Sequence, residues 1–179
     1  MNLYTYHNTP EELIFYNDDN IKIVEKQLIV NGFWRELDME SNVDREGEDE
    51  IARSPFLSFQ YAYLIKKGRF KKGEDILSTD ARYSYYYADF LRKRFHRGED
   101  IIAKNAEYAY KYARYVINGK WEKGEAGIAK SAEYSFEYAK YIIKDRFEKG
   151  EAVIKGTDHY QTVYLRFLKK LGIENVFEN

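Results

Sequence analysis

The stretch that decides the fold is Asn105–Lys130, NAEYAYKYARYVINGKWEKGEAGIAK, which runs directly into Ser131–Lys155, SAEYSFEYAKYIIKDRFEKGEAVIK. Two segments this similar, back to back, mean that one supersecondary unit is used more than once. A Gly-Glu pair marks the unit along the chain: Gly47-Glu48, Gly73-Glu74, Gly98-Glu99, Gly124-Glu125 and Gly150-Glu151, with separations of 26, 25, 26 and 26 residues. Counted from that glycine as position 1, position 8 is Ser54, Asp80, Asn105, Ser131 or Thr157. All five are residues whose side chain accepts from a free N–H at a helix start, and a cap recurring in register predicts a helix there in every unit.

That helix is expected to run about thirteen residues, near the length usual for globular proteins. Position 11 holds Leu57, Tyr83, Tyr108, Tyr134 and Tyr160; position 15 holds Tyr61, Tyr87, Tyr112, Tyr138 and Tyr164; position 18 holds Leu64, Phe90, Tyr115, Tyr141 and Phe167. The spacing draws one apolar stripe at helical period, so all three columns are expected to face inward. Small residues at positions 12 and 16, such as Ala109 with Ala113 and Ser135 with Ala139, make a flat strip where another helix approaches closely. From the aromatic landmark Phe70, Phe95, Trp121 or Phe147 to the aliphatic position 5 (Ile51, Leu77, Ile102, Ile128, Ile154) a second, shorter helix is expected. Its interior glycine costs about 1 kcal/mol relative to alanine, which implies tight packing. The residue missing from the 25-residue unit is placed in the turn, where Gly68 and Gly119 have no counterpart before Arg94.

Neither helix buries its apolar face alone, so the units must stack. The predicted fold is all-α, an α-solenoid of short helix-turn-helix repeats: five units plus a degenerate N-terminal cap. Residues 1–46 are assigned to that cap and an acidic loop, and 47–179 to one continuous body of five tandem repeats with a C-terminal cap. In the first part Thr9-Pro10-Glu11-Glu12 is a helix start, with a short helix to about Tyr16. Asp18-Asp19-Asn20 reads as the cap of a second helix, Ile21 to Val30, stopped by Asn31-Gly32. The polar run 35–46 reads as an inserted loop, and no strand signal is read anywhere.

Composition narrows the function classes. With 44% hydrophobic and 33% charged residues the chain reads as neither a disordered tail nor a membrane protein. Its amino terminus lacks a basic and an apolar leader segment, and the absence of cysteine excludes disulfide and thiolate chemistry, so a cytoplasmic location is expected. The formal net charge of −1 argues against wholesale nucleic-acid coating, but it hides a gradient. Residues 1–50 carry thirteen acids against Lys22, Lys26, Arg35 and Arg45, net −9, whereas 66–97 carry ten Lys/Arg against Glu74, Asp75, Asp80 and Asp89, net +6.

A cap followed by EYAY-x-YA-x-YVI, a turn, and an aromatic followed by Glu-Lys-Gly-Glu resembles a short tandem helical repeat of uncharacterised tailed-bacteriophage proteins. The units at 98–123 and 124–149 match best, and the resemblance covers about 130 of the 179 residues. Those repeats often read Trp-Pro-Glu after the turn, whereas Trp121 and Phe147 are followed by Glu-Lys. The resemblance implies a phage origin and a cytoplasmic site of action in a bacterial host; it carries over no catalytic residue and no cofactor.

Candidate chemistry is sparse. His7, His96 and His159 lack ligand-like partners at i+3 or i+4, and no phosphate loop or nucleophile elbow is present. An enzyme, a metal site and a cofactor are therefore not expected. The tyrosines at positions 11 and 15 could stack on bases, but helical spacing favours packing. The row Arg69, Arg94, Lys120 and Arg146 places one basic residue per unit at the same turn. It is either a candidate phosphate-binding ridge or a ladder pairing with Glu48, Glu74, Glu99, Glu125 and Glu151, and the equal number of acids favours the ladder. Positions 10, 14, 17 and 21 are expected to face solvent, yet there the first two units carry Phe56, Tyr63 and Tyr86. These three are the candidate protein-binding residues, unless loop 35–46 covers them. The preferred function is binding of a protein partner, a host factor or component of a defence system. Nucleic-acid binding along the basic turns, and a virion or assembly role, are the alternatives.

Overall fold

The computed structural model describes residues 21–24, 27–30, 33–35 and 45–177, in two compact units, Met1–Gly47 and Glu48–Asn179. The first unit corrects the sequence reading. In place of a helix from Ile21 to Val30 there are three antiparallel strands in the order β1 (Ile21–Val24), β2 (Gln27–Val30), β3 (Phe33–Arg35). Ile21 pairs with Val30 and Ile23 with Leu28, and Val30 in turn pairs with Phe33. The sequence supplies the reason: Ile21, Ile23, Val24, Ile29 and Val30 are β-branched. Asn31-Gly32, read as a helix stop, is equally the dipeptide preferred between hairpin strands. The expected helix near 10–16 lies outside the described residues, as does 36–44 of the loop expected at 35–46, whose ends are instead strand at Arg35 and helix from Arg45.

From residue 45 onward every regular element described is helical. The long helices are α2 (Pro55–Gln60), α4 (Ala81–Leu91), α6 (Ala106–Lys111), α8 (Ala132–Tyr138) and α10 (Asp158–Lys170). The short ones are α1 (Arg45–Ile51), α3 (Glu74–Leu77), α5 (Glu99–Ile102), α7 (Glu122–Ile128) and α9 (Glu148–Lys155). The predicted caps form: Asp80 and Asn105 accept at 3.0 Å from the N–H of Tyr83 and Tyr108, and Ser54 and Ser131 at 3.4 Å from Leu57 and Tyr134. Thr157 differs, since its hydroxyl turns back to donate to the Val153 carbonyl at 3.2 Å.

Three long helices do not end as α-helices. α2, α6 and α8 continue into π-helical turns at Tyr61–Lys66, Tyr112–Ile117 and Ala139–Ile143, whereas α4 stays α to its end. All four then stop on a left-handed residue, Lys67, Arg92, Asn118 or Lys144 (φ 47°, 52°, 57° and 58°). From that residue the aromatic landmark is always three further on, at Phe70, Phe95, Trp121 and Phe147. The turn is thus the same length in the 25-residue and 26-residue units. The deleted residue comes out of the helix, and the longer units hold the extra one as a π-bulge. This corrects its placement in the turn, and the left-handed position is filled by the residue before Gly68 or Gly119.

Packing follows the chain. Each long helix packs on the next, α2 on α4, α4 on α6, α6 on α8 and α8 on α10, and each of α3, α5, α7 and α9 packs on the long helix before it. The strip of small residues is where this happens. A Cβ added to Gly73, Gly98 or Gly150 would lie 2.5–2.6 Å from Ser58, Ser84 or Ser135 Oγ and 2.6–2.7 Å from the Phe70, Phe95 or Phe147 ring. Fully buried around this seam are Leu77, Ile102, Ile128 and Ile154, with Tyr87, Tyr112, Tyr138 and Tyr164. At the C-terminal end the Phe177 ring lies 6.2 Å from that of Tyr164.

Candidate functional site

The basic row resolves into a recurring node. Where the second unit meets the third, Arg94 donates to both oxygens of Glu99 (2.8 and 3.1 Å), and the Tyr112 hydroxyl donates to the same carboxylate at 2.9 Å. That hydroxyl in turn accepts from the backbone N–H of Phe95 at 3.0 Å. The junction of units one and two repeats this with Arg69, Glu74, Tyr87 and Phe70, and that of units four and five with Arg146, Glu151, Tyr164 and Phe147. Between units three and four, the Tyr138 hydroxyl accepts from Trp121 N–H at 2.8 Å and donates to Glu125 at 3.3 Å. Lys120 is 3.8 Å from Glu125, which is held more closely by Lys149 at 2.6 Å. Glu74, Glu99 and Glu125 are 3–4% exposed, a placement tolerable for a carboxylate only with this many donors. Arg69, Arg94 and Arg146 thus direct guanidinium donors to a carboxylate five residues further along the same chain.

A second set of pairs joins the start of a unit to its end. Lys72 meets Asp49 at 2.6 Å, Arg97 meets Asp75, and Lys123 meets Asp100 at 2.8 Å. In the fourth unit the acid is replaced by Ala126, and Lys149 reaches Glu125 instead. Exposed pairs of this kind, screened by solvent, add little to stability.

The node makes stability depend on pH from both sides. At Glu99 burial would raise the carboxyl, but hydrogen bonds from Arg94 and Tyr112 outweigh it and hold it below its ordinary value. At Glu74 the Arg69 hydrogen bond leads, against burial, and Glu48 is held down against burial by Lys66 and Tyr61. A lowered folded-state value gives stability present above the unfolded value, about 4.3 for Glu, and lost as pH falls below it. Burial raises Tyr61, Tyr87, Tyr112, Tyr138 and Tyr164, so their contribution is present below about pH 10 and lost above it. Thermal melts followed at 222 nm are expected to show a plateau between about pH 5 and 10, with Tm falling on both sides. A monotonic rise in Tm toward acid would contradict the node.

The candidate protein-binding residues come together in one aromatic cluster on the first two long helices and the π-helical turn after α2. Phe56 meets Tyr83 edge-on at 6.0 Å, and Tyr63 stacks on Phe59 at 5.8 Å and meets Phe90 at 5.1 Å. Tyr86 lies 5.7 Å from Phe59 and 6.2 Å from Tyr108. All three are half-buried, against rings that include Phe59 and Tyr83. Position 13, which lies outside the predicted stripe, supplies Phe59 here and the buried Tyr85 and Tyr110.

Position 18 departs from expectation in the opposite direction. Tyr115 and Tyr141, read as part of the inward stripe, are 41% and 44% exposed. Both lie within π-helical turns, Tyr112–Ile117 and Ala139–Ile143, where the extra residue turns side chains out of the helical register on which the stripe is drawn. His96 and His159 are exposed, and no cluster of metal-ligating side chains occurs among the described residues. No described helix is long and apolar enough to cross a membrane. Compared with protein families, curated proteins and solved structures, the chain matches no family model, no curated protein and no solved structure.

Proposed function

We propose that residues 48–177 form an α-solenoid of tandem helix-turn-helix units that acts without a cofactor, by binding a protein partner through Phe56, Tyr63 and Tyr86. The observation that carries this reading is the contrast along the long helices. Units three and four place Glu107, Lys111, Glu133 and Glu137 at the positions where the first two units place Phe56 and Tyr86. A half-exposed aromatic cluster at one end of an otherwise polar face is where interface energy concentrates. The repeat architecture is supported by the recurrence of the same node and the same glycine contact in successive units. Origin in a phage, and a host factor or defence component as the partner, rest on the sequence resemblance.

Affinity capture from a bacterial lysate, read by mass spectrometry, tests this with wild-type chain and a Phe56→Asp/Tyr63→Asp variant. One protein is expected to be retained by the wild type and lost from the variant. Circular dichroism checks that the helical signal is kept, and Tyr63→Ser serves as a milder second variant. Retention of the same proteins by all three chains would remove this face from the function.

A further inference from the structure

A different surface carries a different ligand class. Units three, four and five repeat a cation followed by an aromatic at positions 17 and 18: Arg114-Tyr115, Lys140-Tyr141 and Arg166-Phe167. Three residues beyond each aromatic, position 21 adds Asn118, Lys144 and Lys170. These positions hold five cations, three aromatic rings and no carboxylate. Among the described residues none of Arg114, Lys140, Lys144, Arg166 and Lys170 is ion-paired, in contrast to Arg69, Arg94 and Arg146.

The side chains interleave across units. The Arg114 guanidinium lies 4.6 Å over the Tyr141 ring of the next unit and 5.5 Å over Tyr115 of its own. Lys140 Nζ lies 4.6 Å over the ring of its sequence neighbour Tyr141 and 5.4 Å over Phe136. The Phe136 ring meets Phe167 of the last unit at 6.3 Å, continuing the line. Cations held against rings keep their charge, and Tyr115 and Tyr141 remain 41% and 44% exposed. Glu137 is the carboxylate whose charge reaches Arg114, and beyond it cations regularly interrupted by flat rings are the pattern that tracks a phosphate backbone and stacks its bases.

We propose that Arg114, Tyr115, Lys140, Tyr141 and Arg166 form a binding strip for single-stranded nucleic acid, with bases stacking on Tyr115 and Tyr141 and phosphates meeting the cations. Stacking is indifferent to base identity, so the strip reads strandedness rather than sequence. It lies apart in sequence from Phe56, Tyr63 and Tyr86, and neither site depends on the other.

The test is fluorescence anisotropy of the full chain with labelled oligothymidylate and oligouridylate of about 20 nucleotides, and with a duplex of equal length, in a salt series from about 50 to 300 mM. Both single strands are expected to bind, with affinity falling steeply as salt rises, and the duplex to bind more weakly. Tyr115→Ala/Tyr141→Ala is expected to weaken single-strand binding by about tenfold per ring removed. Lys140→Ala/Arg166→Ala should flatten the logarithmic salt slope by about 1.4, roughly 0.7 for each cation removed. Lys71→Ala/Lys93→Ala, which removes the same charge from exposed positions outside the strip, should change affinity by less than about threefold. Circular dichroism monitors folding, and both rings are exposed enough for alanine to be tolerated. Absence of binding at the lowest salt would overturn the proposal. So would equal affinity for the duplex, or an equal loss in the Lys71/Lys93 variant.

Discussion

Replacing Tyr112 by alanine is expected to lower the stability by about 3–5 kcal/mol, and replacing it by phenylalanine by about 1–3 kcal/mol. The two numbers separate two jobs of one side chain. The ring is fully buried and packs on Trp121 at a centroid distance of 4.8 Å, so alanine leaves a cavity that the surrounding helices only partly fill. Phenylalanine keeps the ring and removes only the hydroxyl. The Phe95 N–H then has no acceptor, and Glu99, which is 4% exposed, loses one of its donors. A buried donor left unpaired is the costly half of a lost hydrogen bond. Urea denaturation compares the two variants with the wild type. A Tyr112→Phe midpoint indistinguishable from wild type would show that the hydroxyl bridging backbone and carboxylate is dispensable, and with it the account of the node.

The second large effect is expected at Gly98. An added Cβ would sit 2.5 Å from Ser84 Oγ and 2.6 Å from Phe95 Cδ1, closer than carbon contacts allow. Gly98→Ala must therefore push the third unit away from α4 or force Ser84 and Phe95 off their rotamers, at about 1–3 kcal/mol. Gly119→Ala is the internal control. Nothing lies within 4 Å of its added Cβ and its φ is not in the left-handed region, so alanine there is expected to be neutral or stabilising by about 0.4–1 kcal/mol. A Gly98→Ala/Ser84→Ala double variant should recover only part of the loss, because it removes Ser84 Oγ but leaves Ser84 Cβ and Phe95 Cδ1, each 2.6 Å from the added Cβ. Equal thermal midpoints for the Gly98 and Gly119 variants would mean that the close approach does not set the spacing of the helices.

How much of this is legible in the sequence depends on whether a residue's role is repeated or local. The position 8 caps, the buried tyrosine at position 15 and the glycine at position 1 recur in register, so the sequence displays each several times over. The Arg–Glu pairing is readable because acid and base keep a fixed offset of five residues, as in Arg94 and Glu99. The Tyr112 hydroxyl on the Phe95 N–H is not readable. It joins residues 17 apart through a backbone atom, and backbone donors leave no mark in side-chain patterns. The exposure of Tyr115 and Tyr141 escapes a helical wheel because the wheel assumes 3.6 residues per turn to the helix end, and the π-bulge breaks that assumption. At Ile21–Val30 the error is one of period: a short apolar run with a few polar interruptions fits a strand as well as a helix. Its β-branched residues are the signal that favours the strand.

The bulged helix ends have a bearing on how such a chain can change over generations. Between Tyr87 and Arg92 lie four residues, Ala88 to Leu91, and between Tyr112 and Asn118 lie five, Ala113 to Ile117. Both spans deliver the next aromatic to the same slot against the tyrosine. A single-codon gain or loss within that span is absorbed on the spot, where elsewhere in a helix it would turn every later side chain by about 100°. Mutational wear of that kind is then tolerated in one place per module, and the modules on either side carry on undisturbed.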